Sequence, residues 1–186
     1  MTPQKGFDLV QCVLDELMNE QDMAFVLLGT GNAEYEDFMR SAEWRHKGRL
    51  CAYIGYDEAL SHRVYAGSDF LLMPSSFEPC GLSQMIAMRY GTLPIVRETG
   101  GLRDSVQPYN QFTGEGTGFS FANFNAYELA DAIRRALALY HDNHDAYCRV
   151  QRQAMSQDFS FTRSAEDYAH LYLLLLPEDT TPKHDA

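Results

Sequence analysis

Glu78, Lys5 and the segment Gly81-Leu82-Ser83 are the residues of this sequence whose types and positions could do chemistry. The apolar run Phe70-Leu71-Leu72-Met73 ends at Pro74, a polar loop carries Glu78, and a helical pattern begins after Pro79 with Gly81 in its first turn. Amides at a helix start lack an intrahelical acceptor and the helix dipole favours negative charge there, so Gly81, Leu82 and Ser83 form a seat for a phosphate. Glu78 would sit beside that seat, free to hold something uncharged. Between Phe77 and Pro79 it reads equally well as a surface acid in a rigid turn. Lys5 lies in a loop ahead of a helix start, where a phosphate contact is conceivable, although most lysines near a terminus are simply solvated.

Other candidates carry blander readings. Gly29-Thr30-Gly31-Asn32-Ala33-Glu34 half-matches a dinucleotide fingerprint, but Glu34 stands where a third glycine is needed, and a tight turn explains the rest. Cys80 could have a lowered thiol pKa at a helix start, yet no histidine stands beside it in sequence, and it reads as a small apolar filler. His141-Asp142-Asn143-His144 reads as a solvated helix face. Tyr56, after Ile54-Gly55, is either a core aromatic or a platform for a flat ring.

The elements that must position these residues alternate. Strands are expected at Ala24–Leu28, around Leu50–Ile54, at Phe70–Met73, Leu93–Val96 and Gly118–Phe121, each a short continuous apolar run. Between them helices are expected with Phe7, Val10, Leu14 and Leu17 inward, then Tyr35, Phe38 and Met39, then Leu60, Val64 and Tyr65. Asp57 or Ser61 opens the third. After the last strand, Asn125 caps a helix faced by Leu129, Ile133, Ala136, Leu137 and Tyr140. Further helices span His141–Met155 and Arg163–Leu176. This is an α/β pattern, a Rossmann-like open parallel sheet with helices on both faces, whose ligands bind at the carboxyl ends of the strands. Residues 1–176 read as one domain and 177–186 as a frayed tail. A loop like Met1–Gly6 normally follows a strand, so the sequence reads as cut at its start.

Composition narrows the function. At 186 residues the chain can bury a core without staples. A formal charge of −11 argues against a nucleic-acid surface. No apolar run is long enough to cross a bilayer and no signal region leads the sequence, so a soluble cytoplasmic protein is expected. Four cysteines without paired spacing suggest neither zinc nor disulfides, and are expected reduced and mostly buried.

Ordered segments then resemble the carboxyl-terminal domain of the bacterial glycogen synthase and plant starch synthase family. They are Thr2–Leu9, Tyr53–Tyr56, His62–Asp69, Pro74–Gln84, Arg89–Val96 and Thr99–Val106. The resemblance covers nearly all of residues 2–176. It implies one half of a two-domain GT-B glycosyltransferase, moving glucose from ADP-glucose to the non-reducing end of an α-1,4-glucan with retention, with ADP leaving and no cofactor or metal. By the same resemblance Lys5 neutralises donor phosphate, Gly81, Leu82 and Ser83 seat the diphosphate, Tyr56 packs on adenine, and Glu78 holds glucose hydroxyls with Cys80 nearby. No Asp-x-Asp pair of the kind metal-dependent transferases use is present.

The sequence also departs from the family. A strand ending in Ser-Arg-Leu, whose arginine is a phosphate ligand, and the facing amino-terminal domain are missing, which implies that the isolated chain is inactive. Ile86 stands where related retaining transferases carry a second acid, which favours a front-face route. A UDP-sugar transferase half and a non-catalytic nucleotide- or glucan-binding module are the alternatives. Leu171, Leu173, Leu174 and Leu176 make the last helix a packing helix; in the family fold this helix crosses back to the other domain, which by resemblance would leave an apolar patch exposed for self-association.

Overall fold

A computed structural model describes residues 1–175. It forms two units, Met1–Ser156 and a second beginning at Gln157. Leu176 and the expected tail lie outside the described residues.

In the first unit a 3-10 turn, Pro3–Lys5, leads into α1 (Phe7–Glu20). Five parallel strands follow: β1 (Phe25–Gly29), β2 (Leu50–Ile54), β3 (Phe70–Met73), β4 (Leu93–Arg97) and β5 (Phe119–Phe121). Between them run α2 (Ala33–Arg45), α3 (Glu58–Gly67), α4 (Ser83–Tyr90) and α5 (Gly100–Ser105), and after β5 come α6 (Ala126–Asp142) and α7 (His144–Met155). The second unit contains α8 (Phe161–Leu175), which buries none of its residues.

The strands are hydrogen-bonded as two sets rather than one continuous sheet: β1 with β2, and β3, β4, β5 in that order. Residues 1–4 link the carboxyl ends of the two sets. The Met1 ammonium donates to the Thr30 carbonyl, Asn32 N–H donates to Met1 O at 2.9 Å, and Ser76 N–H donates to Gln4 O at 2.9 Å.

The core lies where α1 and α6 cover the strands. α1 buries Leu9, Val10, Val13, Leu14, Leu17 and Met18 at helical spacing, and α6 buries Leu129, Ala130, Ala132, Ile133, Ala136 and Leu137. Each buried Leu, Ile, Val or Met among them contributes about 1.5–3 kcal/mol. Asn125 caps α6, its Oδ1 accepting from Glu128 N–H at 2.9 Å, and the Glu128 carboxylate returns to the amides of Ala122 and Asn123. Hydrogen bonds from Asn123, side chain first and then backbone, hold the Glu128 carboxyl below its usual range.

Three expectations change. α3 opens at Asp57, as one of its two candidate caps, but Leu60, Val64 and Tyr65 are only half-buried and the helix buries none of its residues. α7 starts at His144 rather than His141, because Asn143 Oδ1 caps it through Ala146 N–H at 3.1 Å and α6 runs on to Asp142. Of the four free cysteines, Cys12, Cys51 and Cys80 are exposed, and Cys148 is half-buried at the edge of the core.

Candidate functional site

The loop after β3 is held from three sides. From below, Arg97 at the end of β4 donates from Nε to Ser75 O at 2.8 Å and from Nη2 to Ser76 O. From the amino terminus, Gln4 Nε2 donates to Phe77 O at 3.2 Å. From the first turn of α5, Gly101 N–H donates to the carbonyls of Glu78 and Pro79, each at 3.1 Å. These approaches are too close for side chains: a Cβ on Gly6 would lie 2.1 Å from Pro74 O, and one on Gly101 2.2 Å from Cys80 O. Gly6 also has φ of +74°, where glycine is favoured.

This bracing brings together two residues distant in sequence. Lys5 Nζ lies 2.5 Å from Glu78 Oε2, and Ser75 Oγ donates to the same oxygen at 3.3 Å. Glu78 is buried, 8% exposed, so it is not the surface acid of the blander reading. The Lys5 side chain is 48% exposed. The contact therefore joins a cation open to solvent with a carboxylate held inside the loop.

The start of α4 lies next in sequence. Its first bond runs from Ile86 N–H to Leu82 O at 2.9 Å, and no side chain caps it, so the amides of Leu82 to Met85 have no intrahelical acceptor. The helix begins at Ser83, and Gly81 ahead of it has φ of +75°. Gln84, fully buried, fastens this turn. Its Nε2 donates to Cys80 O, Gly81 O and Ser105 Oγ, while its Oε1 finds no partner. Such a site offers a cation, a run of amides with the positive end of a helix dipole, and a buried carboxylate that accepts hydrogen bonds.

The other expected residues are placed differently. Cys80 is exposed and its Sγ reaches only Gly81 O at 3.6 Å. Leu82 is 66% exposed. Tyr56 is 87% exposed on the loop after β2, with no hydrogen bond or ring contact to Lys5 or Glu78. Sequence reasoning passed over Ser75, Arg97 and Gln84. Arg97 had a signal, as the single cation closing the apolar strand Leu93–Val96. Gln84 had none, for a polar side chain in a first helical turn is normally solvated.

The sequence profile of the family described as glycosyl transferases group 1 matches residues 1–153. The chain belongs to this family. It is 53% identical to a glycogen synthase of Exiguobacterium sibiricum over 177 residues, covering 95% of the chain and 36% of that relative. A glycogen synthase of Geobacillus thermodenitrificans is 52% identical over 179 residues, with 96% and 36% covered. The chain thus spans little more than a third of the length of the curated relatives it matches. Among solved structures, the catalytic domain of starch synthase IV from Arabidopsis thaliana, bound to ADP and acarbose, superposes with a TM-score of 0.82 at 37% identity, over 94% of this chain and 36% of that one. Anabaena HepE in complex with UDP-glucose is alike in fold alone, with a TM-score of 0.66 at 22% identity, over 95% of this chain and 47% of that one. The fold is one Rossmann-like half of a GT-B glycosyltransferase.

Proposed function

We propose that the chain is the donor-binding half of a glycogen synthase, which transfers glucose from ADP-glucose to the non-reducing end of an α-1,4-glucan with retention. The observation that carries this reading is the 2.5 Å approach of Lys5 Nζ to Glu78 Oε2 beside the uncapped start of α4. One site then presents positive groups for a diphosphate and a buried acceptor for sugar hydroxyls. The relative solved with ADP and acarbose supports both the nucleotide and the glucan.

On this reading the Lys5 ammonium leaves Glu78 for the donor phosphates, where the amides of Gly81, Leu82 and Ser83 also point. The freed Glu78 carboxylate accepts from glucose hydroxyls, and Tyr56 covers the adenine from the neighbouring strand pair. The bond from the anomeric carbon to the phosphate oxygen breaks as the acceptor oxygen attacks from the same face, and the acceptor proton passes to the leaving diphosphate. Charge grows on that diphosphate during the step, so fixed amides and Lys5 stabilise the transition state more than the ground state. Glu78 is thereby a sugar-orienting residue rather than a nucleophile. Cys80 adjoins the sugar pocket. Free cysteines fit a reducing compartment, the cytoplasm.

Calorimetry tests the donor reading. ADP is expected to bind in preference to UDP and GDP, and Lys5→Ala to weaken it about ten- to a hundredfold, the loss of one charge-assisted hydrogen bond. A preference for UDP, or unchanged affinity in Lys5→Ala, overturns it. The chain supplies one wall of the catalytic cleft, with the remaining length of such an enzyme supplying the other. Purified alone, it is expected to incorporate no labelled glucose from ADP-glucose into glycogen, and incorporation near whole-enzyme rates would refute that. α8 exposes Tyr168, Tyr172, Leu173, Leu174 and Leu175 by more than half, a surface for self-association. Light scattering is expected to show a dimer or larger species, against which a clean monomer would count.

A further inference from the structure

We infer that the cleft between the Gln107–Gly118 loop and the end of α6 is a second carbohydrate site, which holds a neutral α-1,4-glucan chain away from the donor site. The choice of sugar rests on the glucan reading above; the site itself rests on its own geometry. The cleft encloses about 980 Å³ and is lined by residues 107–113 together with Glu115, Phe119, Arg135, Ala138, Leu139 and Asn143. The loop precedes β5 and α6 returns from its far end, so the cleft lies at the amino ends of the strands. The Lys5–Glu78 site is built around the loop that follows β3, at the opposite end.

The loop is rigid. Tyr109 N–H donates to Gly118 O at 2.8 Å, Thr117 N–H to Gln107 O at 2.8 Å, Asn110 N–H to Glu115 O at 2.7 Å and Gly114 N–H to Asn110 O at 2.8 Å. Asn110 Oδ1 accepts from Phe112 N–H at 2.9 Å, and Gln153 of α7 grips both Gly114 O and Gly116 N–H. This framework holds the Phe112 ring 89% exposed. Beside it Tyr109, half-buried, leans on the core residue Phe119 with ring centroids 6.0 Å apart. Around it, the side-chain amides of Gln107 and Gln111 make no hydrogen bond among the described residues.

The chemistry selects the ligand. Arg135 is engaged by Asp131 Oδ2 and Ser120 O, and Glu115 is the one carboxylate in the lining, so the cleft offers nothing to a polyanion. A sugar ring has an apolar face that suits an exposed aromatic ring and hydroxyls that suit free amides, each of which donates and accepts. A linear glucan repeats that pairing along its length, as an open cleft requires. The volume is at the upper end of the about 300–1,000 Å³ of ordinary ligand pockets, room for several linked rings.

Affinity electrophoresis through glycogen and calorimetry with maltoheptaose test this on the full chain, beside an ADP titration. The unaltered chain should be retarded by glycogen, and Phe112→Ala should weaken maltoheptaose by about three- to tenfold, the aromatic share of such a contact. Gln111→Ala should weaken it less, and both variants should melt with the unaltered chain, because neither residue is in the core. A chain that binds ADP but ignores maltoheptaose, or a Phe112→Ala chain that binds maltoheptaose undiminished, overturns the second site and leaves the donor reading standing. Binding of maltoheptaose through Phe112 without binding of ADP supports the second site and removes the donor reading.

Discussion

β1 and β4 are both five-residue apolar strands, yet they meet different surroundings. In β4 Leu93 and Val96 are wholly buried and Ile95 nearly so, whereas in β1 Val26 is 50% exposed and only Leu27 is buried. β4 is flanked by β3 and β5, while β1 is paired with β2 alone. The difference teaches where the molecule places its chemistry. Lys5, Ser75, Glu78 and Arg97 converge over the three-stranded set, whose strands β4 and β5 are the buried ones. Tyr56 stands exposed on the loop after the half-open pair.

Truncation is the harshest way to break that comparison. Leu93→Ala should destabilise the first unit by about 2–5 kcal/mol, because transfer energy and a cavity both count in a site that cannot collapse. Val26→Ala should cost less than about 1 kcal/mol, since half its surface is already in water. Urea unfolding of both variants measures the contrast, and equal losses would show that β1 is buried as deeply as β4.

A gentler probe lies on the β1 side. His46 Nε2 sits 2.6 Å from Asp15 Oδ1, and Arg45 Nη2 lies 2.9 Å from Asp15 Oδ2, which ties α1 to α2. Burial pushes the Asp15 carboxyl upward, but the hydrogen bonds from His46 and Arg45 outweigh it and leave the group below its usual range. A lowered folded pKa means that the stabilisation is complete above the unfolded value of about 3.9 and disappears as pH falls through the folded value. Asp15→Asn should therefore melt slightly below the unaltered chain at pH 6 and level with it once the carboxyl is protonated. A gap that persists at the lowest pH would assign the effect to packing instead. The effect should be small, for the Asp15 side chain is 45% exposed.

Much of the fold was legible. β2 falls on Leu50–Ile54 as expected, and β1 and β4 are displaced or extended by a single residue, because a continuous apolar run bounded by polar residues leaves little choice. Asn125 announced α6 by the chemistry of its side chain. The α6–α7 boundary was misplaced, since His141-Asp142-Asn143-His144 carries no apolar period and only the Asn143 cap marks it. Of the candidate site, Glu78, Lys5 and the α4 start were named from residue type and position. Ser75, Arg97 and Gln84 were not, because their part is to hold backbone and carboxylate atoms that sequence does not bring near them.

The sequence by itself determined most of the strands and helices, the order of the loops at the carboxyl ends, and the acid, lysine and glycine that could meet a phosphate-bearing ligand. Local periodicity and turn chemistry are properties of neighbouring residues and can be read in order. Only the tertiary structure decided that Lys5 closes on Glu78, that Glu78 is buried, that the strands divide into two sets, and that Phe112 stands exposed over a cleft. Each of these depends on segments tens of residues apart, and packing, not local preference, brings them into contact.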